Sequence, residues 1–154
     1  MSPQAKTPPA QRRGGRQRPS RQARRLALMA LFEEEFRPRQ AVEALDRLAE
    51  EQGATRRVAD HARGIVRGVL EHRSELDAQI AEFAPAIPVS ELGRVERTIL
   101  RSALFEMLYS AATPSGETIE DAVSLARIYA GNAARRLVNG VLGSVARSTG
   151  GGGS

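Results

Sequence analysis

Cysteine and tryptophan are absent from the 154-residue chain, and lysine occurs once, at Lys6, among 23 basic residues. Without cysteine there are no disulfides, no thiolate metal ligands and no cysteine nucleophile. Aromatic residues make up only 4% of the sequence, so few rings are available to stack on nucleic-acid bases. No apolar run approaches the roughly 20 residues of a membrane helix, and no apolar stretch follows the basic N-terminus as in a secretory signal. We therefore expect a cytoplasmic chain without a membrane partner.

Positive charge is concentrated at the N-terminus. The first 25 residues contain eight basic residues and no acidic residue, whereas the rest of the chain contains 15 basic and 18 acidic residues. Clustered arginines release counterions from phosphates, so this asymmetry favours a nucleic-acid partner over a merely solubilising tail. A genome rich in G and C would explain arginine in place of lysine, but it does not explain the absence of acids.

Composition divides the chain into three segments. Residues 1–20 combine arginine with proline and glycine and have almost no large apolar side chain, so we expect a disordered arginine-rich arm. Residues 21–147 carry the apolar pattern of a folded domain. Residues 148–154 are expected to form a flexible Gly/Ser tail.

Apolar spacing in the folded segment is helical, and no stretch alternates for long enough to predict a strand. Thr55 and Thr118 are expected to cap helices, and prolines after Phe83 are expected to end one long helix. The predicted helices cover residues 21–36, 40–52, 58–83, 92–108 and 119–129, with a last one starting at Asn132. The fourth has the widest apolar stripe, which predicts a central, mostly buried helix.

Two groups of polar residues have simpler interpretations than catalysis or metal binding. His61 and His72 are eleven positions apart, about 16 Å along a helix, which is too far for a shared metal ion. We interpret both as solvated surface histidines. Consecutive Glu33, Glu34 and Glu35 splay around a helix and cannot pair on one face, so we interpret them as a solvated face.

Two glycine features predict close packing. Gly64 and Gly68, one turn apart, form a small-residue stripe that favours internal packing over a dimer seam. Asn139-Gly140 is normally a hairpin signal, but its flanks have helical spacing. We therefore predict that Gly140 lies in a helix and that another backbone or a ligand approaches it closely.

Three blocks of sequence together resemble the NusB family of bacterial transcription antitermination factors. They are Leu92-Gly-Arg-Val-Glu-Arg-Thr-Ile-Leu-Arg-Ser-Ala-Leu-Phe-Glu-Met-Leu108, Ile119-Glu-Asp-Ala-Val-Ser-Leu-Ala126 and Arg136-Leu-Val-Asn-Gly-Val-Leu142. The resemblance implies an all-α fold, a compact bundle of about seven helices in two helical subdomains, without catalytic activity, metal or cofactor. It also implies binding of boxA RNA together with the ribosomal protein NusE. With NusA, NusG and RNA polymerase, such a complex keeps transcription of ribosomal RNA operons processive.

The resemblance assigns roles to residues by position. In the family the N-terminal basic motif binds RNA, and in a helix Arg21, Arg24 and Arg25 would share one face. The positions implied to bind RNA are Arg16, Arg18, Arg21, Arg24, Arg25, Phe32, Glu96, Arg101, Arg136 and Asn139. The positions implied to bind the partner are Arg97, Ala133 and Leu137. For Arg97 and Arg101, surface ion pairs with nearby acids stay open as an alternative to contacts with RNA or the partner. Phe32 either stacks on a base or belongs to the core.

The sequence departs from the family pattern at several of these positions. Leu137 replaces the usual aromatic residue before Val-Asn-Gly, and Ala133 and Ala134 replace residues that are often polar. These changes remove stacking and polar contacts from the partner surface. Two other functions stay open, a detached NusB-like accessory domain of an RNA methyltransferase and a protein-only helical scaffold. A homodimer is compatible with the small-residue faces.

Overall fold

The computed structural model describes residues 19–110 and 114–149, and every regular element in these two ranges is helical. The seven α-helices found there are α1 (Arg21–Glu34), α2 (Ala41–Glu51), α3 (Arg56–Glu71), α4 (Arg73–Phe83), α5 (Arg94–Tyr109), α6 (Ser115–Ala130) and α7 (Asn132–Ser148). A 3-10 turn, Val89–Glu91, precedes α5. The predicted all-α class is confirmed. No helix within these ranges is long and apolar enough to cross a membrane.

The predicted arm and tail fall largely outside this part of the chain. Of residues 1–20, the structure describes Pro19 and Ser20, so the predicted RNA-binding residues Arg16 and Arg18 lie outside the described residues. Residues 150–154 of the predicted tail lie outside them as well. The last helix, α7, continues to Ser148.

Local signals begin and end several helices. The Ser20 hydroxyl accepts a backbone N–H of the first turn at 3.1 Å and caps α1. The Thr55 hydroxyl accepts the N–H of Val58 at 3.2 Å, which confirms the predicted cap of α3. Gly131 has a φ of 97°, a conformation that favours glycine, and it separates α6 from α7. The last helix begins at Asn132, as predicted.

The predicted long third helix is in fact two helices that meet at His72. His72 has φ −111° and ψ 20°, so α3 ends there and α4 begins at the next residue. Its ring stacks on Tyr109 of α5 with 4.0 Å between the ring centroids, so it is not the solvated histidine that we expected. No proline or glycine marks the break. The apolar spacing continues across it because α3 and α4 both pack against α5.

The start of α6 also differs from the prediction. The helix begins at Ser115, directly after Pro114, and not after a cap at Thr118. Proline fits this position because its fixed φ suits a helix start and its missing N–H has no partner to lose there. Thr118 lies inside the helix and is fully buried against the core.

The acidic run at the end of α1 closes a turn. Glu34 is buried, and its carboxylate accepts the backbone N–H groups of Arg39, Gln40 and Ala41 at 3.0–3.2 Å. It thereby caps α2, for which the Gln40 side chain makes no capping bond. Arg39 has a positive φ of 72°, which lets the chain reverse between the two helices. The interpretation of this run as a solvated face is wrong for Glu34.

The central helix is α5, as predicted. It packs against α1, α3, α4, α6 and α7, and its Leu100 and Leu104 are fully buried. At Gly68 of α3 a Cβ would overlap the ring of Phe105, so internal packing explains this glycine. Gly64 has nothing within 4 Å of a Cβ position, so only one glycine of the predicted stripe packs closely.

Candidate nucleic-acid interface

Arg24 of α1 lies in a buried ion-pair network. It is 6% exposed. Its Nε and Nη2 donate to the two carboxylate oxygens of Glu106 on α5, each at 3.0 Å, and its Nη1 donates to Asp121 on α6. Arg24 therefore joins three helices inside the fold. Arg24 is therefore not exposed beside Arg21 and Arg25 in this structure, and its contact with RNA stays a prediction.

Burial of the network shifts its pKa values. Burial raises the pKa of Glu106 above its ordinary value; the hydrogen bonds and charge of Arg24 oppose the rise, and the charge of Asp121 adds to it. Burial alone would lower the pKa of Arg24, but the hydrogen bonds and charges of Glu106 and Asp121 outweigh it and raise the pKa. Arg24 is consequently a fixed positive charge whose hydrogen-bond partners are inside the protein.

Arg21 and Arg25 are the members of the arginine motif that solvent reaches in the described part of the chain. The Arg21 side chain is 69% exposed, and its Nε lies 2.9 Å from Oδ1 of Asp121. Arg25 is exposed one turn further along α1. Both line a small cleft between α1 and α6, whose walls also include Ser124 and Ile128. Two arginines thus line one opening.

A second ion-pair network surrounds Glu35, just after α1. Arg97 and Arg101 of α5 both donate to its carboxylate, and Arg101 also donates to both oxygens of Asp77 on α4 at 2.7 and 2.9 Å. Arg101 is 7% exposed, so its ion pairs are buried and are not the surface pairs left open by the sequence; its contact with RNA stays a prediction. Burial alone would raise the pKa of Glu35, but the hydrogen bonds and charges of the two arginines outweigh it and lower the pKa. Glu35 is therefore not part of a solvated face.

Phe32 lies in an apolar groove formed by α1, α2, α5 and α6. Its ring packs edge-on against Phe36 with 5.2 Å between centroids, and the guanidinium of Arg94 lies 4.6 Å from the Phe36 centroid. The groove has a volume of about 750 Å³ and is also lined by Val95 and Tyr129. Sequence reasoning missed Phe36 and Arg94. The available signal was an aromatic residue two positions before Pro38, the proline that ends the first helical pattern.

Glu96 occupies the first turn of α5, beside the groove residue Val95. Its side chain is half-buried, and its carboxylate lies over Gly93, where a Cβ would collide with it. A carboxylate in the first turn is favoured by the positive end of the helix dipole. Gly93 thus leaves the space that lets Glu96 fold back over the helix start.

The last block of predicted site residues lies along α7. Ala133, Arg136 and Asn139 are exposed, whereas Leu137 is partly buried and packs against the core. Gly140 is exposed as well, and nothing in the described ranges lies within 4 Å of a Cβ placed there. The close approach predicted for Gly140 is therefore not found. This face of α7 is open to a partner.

The cleft at the start of α1, the apolar groove and the exposed residues of α7 are separate places whose side chains suit binding by charge, stacking and hydrogen bonds. Within residues 19–110 and 114–149, no group of three or more histidines, aspartates and glutamates is placed to hold a metal ion. His61 is half-buried on α3, and His72 belongs to the aromatic stack on α5. The surface instead presents guanidinium groups, half-exposed rings and the amide of Asn139.

The chain is similar in sequence to proteins of known family. The sequence model of the NusB family matches residues 21–147. The transcription antitermination protein NusB of Dehalococcoides mccartyi (strain ATCC BAA-2266 / KCTC 15142 / 195) is 35% identical over 128 residues, which cover 83% of this chain and 90% of that protein. The protein of the same name from Symbiobacterium thermophilum is 40% identical over 135 residues, covering 82% of this chain and 88% of that protein.

Solved structures share the fold. NusB of T. maritima superposes with a TM-score of 0.78 at 29% identity, over 85% of this chain and 92% of that one. A chain in the crystal structure of the antitermination factors NusB and NusE in complex with dsRNA superposes with a TM-score of 0.76 at 26% identity, over 83% of this chain and 96% of that one. These matches cover the helical segment that carries all the described candidate residues and confirm the resemblance seen in the sequence blocks. This chain belongs to the NusB family.

Proposed function

We propose that this chain is a non-catalytic transcription antitermination factor that binds boxA RNA together with the ribosomal protein NusE. In this role it is a cytoplasmic adaptor that, with NusA, NusG and RNA polymerase, supports processive transcription of ribosomal RNA operons. The observation that carries the proposal is the match to NusB proteins along residues 21–147, together with the similarity to a chain solved in a complex of NusB, NusE and dsRNA.

The start of α1 supports the RNA-binding part of the proposal. Arg21 and Arg25 are exposed there, and residues 1–20 add five further basic residues, among them Arg16 and Arg18. Arginine suits this task because its planar fork of donors matches phosphate oxygens. Arg24 contributes by bracing α1 against α5 and α6, since its donors are occupied inside the fold. RNA phosphates are thus held by the neighbours of a structural arginine.

A second contact with RNA is proposed along α7 and the first turn of α5. Arg136 and Asn139 are exposed on successive turns of α7 and offer a charge and an amide that can read base edges. Phe32 lines the apolar groove, where a ring can stack on a base, and Glu96 follows the groove residue Val95 along α5. Arg101 supports this surface from within by fixing Glu35.

The apolar groove and the start of α7 support the partner-binding part of the proposal. The groove is apolar and is rimmed by half-exposed rings such as Phe36 and Tyr129. Its apolar surface is larger than that of a single exposed side chain, and such a patch is typical of a binding site. Aromatic and arginine side chains are the usual anchors of protein interfaces. Ala133 and Leu137 lie on α7, which follows the helix that carries Tyr129, and Arg97 fixes the end of α1 through Glu35.

A titration of fluorescent boxA RNA, read by anisotropy, tests the proposal. The RNA is titrated with this protein alone and with saturating NusE, and a scrambled RNA of the same length is the control. NusE should tighten binding of boxA RNA and leave binding of the scrambled RNA unaffected, because proteins that contact both the same RNA and each other couple their binding. Retention of NusE without any RNA binding in either titration would contradict the proposal and would indicate a protein-only scaffold.

A further inference from the structure

A small cavity lies where α1 and α3 meet α5 and α6. Its walls come from all four helices and are mostly apolar, with Leu28, Ile65 and Ala122 among them. The residues of its walls are buried except Ser102 and Leu125, which are half-buried and mark the side on which solvent can enter. The cavity volume is about 20 Å³. A single water molecule needs roughly 10–15 Å³, so the cavity has room for one water molecule and for no larger ligand.

Thr118 contributes a buried hydroxyl to this cavity. The residue is 1% exposed and lines the cavity from α6. Its Oγ1 has no hydrogen-bond partner among residues 19–110 and 114–149. A buried hydroxyl without a hydrogen bond is unfavourable, and buried water molecules occupy cavities in which such polar groups are found. The Thr118 hydroxyl therefore indicates a polar occupant.

Two residues of α5, one helical turn apart, offer hydrogen-bond acceptors in the same cavity. The Ser102 hydroxyl donates to the carbonyl oxygen of Thr98 at 3.0 Å, which leaves its own oxygen able to accept. Oε2 of Glu106 accepts Nε of Arg24 at 3.0 Å, and a carboxylate oxygen can accept a second bond. With Thr118 they make three polar partners, the typical number for a buried water molecule.

The charges of the walls favour a neutral molecule over an ion. Arg24 and Glu106 both line the cavity, so a cation would meet a guanidinium group and an anion would meet a carboxylate. A water molecule avoids both repulsions. Burial raises the pKa of Glu106 and Arg24 opposes the rise, so a further donor to the carboxylate favours the charged form that pairs with Arg24.

We propose that this cavity is a binding site for one structural water molecule. The Thr118 hydroxyl donates to the water, and the water donates to Oγ of Ser102 and to Oε2 of Glu106. The water thereby joins α6 to α5 beside the buried pair of Arg24 and Glu106. The inference goes beyond the proposed function, because the water is part of the folded protein whether or not RNA or NusE is bound.

A high-resolution crystal structure of the full chain tests the site directly. We expect one peak of electron density in the cavity, roughly 2.5–3.0 Å from Thr118 Oγ1, Ser102 Oγ and Glu106 Oε2. Thr118→Ser keeps the hydroxyl and should keep the peak, whereas Thr118→Val should lower its occupancy. A wild-type cavity without density, or a Thr118 hydroxyl bonded directly to a protein atom, would overturn the proposal.

Thermal unfolding distinguishes a water-bonded hydroxyl from an unpaired one by the sign of the change. If Thr118 bonds to a water molecule, Thr118→Val should lower the midpoint of unfolding by about 3 °C, as expected for the loss of one hydrogen bond in a domain of this size. If the hydroxyl were unpaired, valine would replace a buried polar group with a methyl group and raise the midpoint. An unchanged or raised midpoint would therefore contradict the bound water.

Ser102→Ala tests whether the two hydroxyls share one water molecule. Each effect is expressed as the fold-change in the equilibrium constant of unfolding at one temperature. The double variant Thr118→Val/Ser102→Ala should change this constant by less than the product of the two single effects, because both substitutions act on the same water. Ser74→Ala, at an exposed position of α4 outside the cavity, is the control and should combine with Thr118→Val independently. Independent effects at Ser102 as well would overturn the shared site.

Discussion

Arg24 and Glu106 are 82 positions apart in the sequence and meet inside the protein as a paired fork of hydrogen bonds, two of them 3.0 Å long. The planar guanidinium matches the carboxylate geometrically, and Asp121 occupies the remaining edge. The pair joins α1 to α5, and Asp121 extends the connection to α6. One arginine of the N-terminal motif therefore stabilises the fold, while its neighbours Arg21 and Arg25 face solvent.

Arg24→Ala should strongly destabilise the protein, because it leaves Glu106 and Asp121 buried without their shared partner. Removal of one member of a buried ion pair costs about 3–5 kcal/mol, and urea unfolding followed by circular dichroism measures it. Arg25→Ala, an exposed control one position away, should change the free energy of unfolding by less than about 0.5 kcal/mol. Equal stability of the two variants would show that the buried network does not stabilise the fold.

Glu34→Ala should also destabilise the protein, since three backbone N–H groups at the start of α2 lose their acceptor. The expected loss in the free energy of unfolding is about 1–3 kcal/mol. Glu50→Ala is the matched control, because Glu50 is exposed on α2 and its side chain has no ion-pair or hydrogen-bond partner within the described ranges. A Glu34→Ala variant as stable as the control would contradict the capping role.

Glu35 should make stability depend on pH in the acid range. Its pKa in the folded state is lowered from the ordinary value of 4.5, so its contribution is present at neutral pH and is lost as the pH falls below 4.5 through the lower folded-state pKa. Glu35→Gln should therefore lower the free energy of unfolding at neutral pH and flatten its decline in acid. Urea unfolding of both proteins from neutral pH to about pH 3 measures the difference. Parallel curves would rule out this linkage.

Two glycines of α3 should respond in opposite ways to the same substitution. Gly68→Ala should destabilise the protein by about 1–3 kcal/mol, because its Cβ would overlap the Phe105 ring. Gly64→Ala meets nothing within 4 Å and should stabilise the helix by about 0.5–1 kcal/mol. The added variant Phe105→Leu should recover part of the loss at Gly68 and have no such effect at Gly64. Thermal unfolding of the three single variants and of the two double variants with Phe105→Leu measures these changes in stability. A change in stability of the same sign for Gly68→Ala and Gly64→Ala would contradict the packing.

The sequence predicts the parts of the fold that local signals determine. Helical apolar spacing and the Thr55 cap act over a few residues, and the structure confirms both. The break at His72 has no such signal, because its cause is the packing of both flanking helices on α5 and the stack with Tyr109. The Glu34 cap was missed for a similar reason, since its acceptor role depends on where the chain turns back.

The sequence predicted which positions belong to the candidate site, but it did not predict which of those side chains are exposed and which are buried. Resemblance places Arg24 and Arg101 in functional blocks, but only the fold brings Glu106, Asp121 and Asp77 to them. These carboxylates are distant in sequence, so charge counting along the chain cannot pair them. The fold shows which arginines are paired inside the protein and which, such as Arg21 and Arg25, are exposed. It also forms the apolar groove, which no local sequence signal predicts.

The most direct test of how this protein holds RNA is the salt dependence of boxA binding by the full chain. If exposed guanidinium groups neutralise about four phosphates, the slope of log K against log salt should be near −3 for single-stranded RNA. The double variant Arg21→Ala/Arg25→Ala should fold with unchanged helicity and make the slope shallower by about 1.4. A slope near zero for the wild-type protein, or an unchanged slope for the double variant, would contradict the assignment of these arginines to RNA.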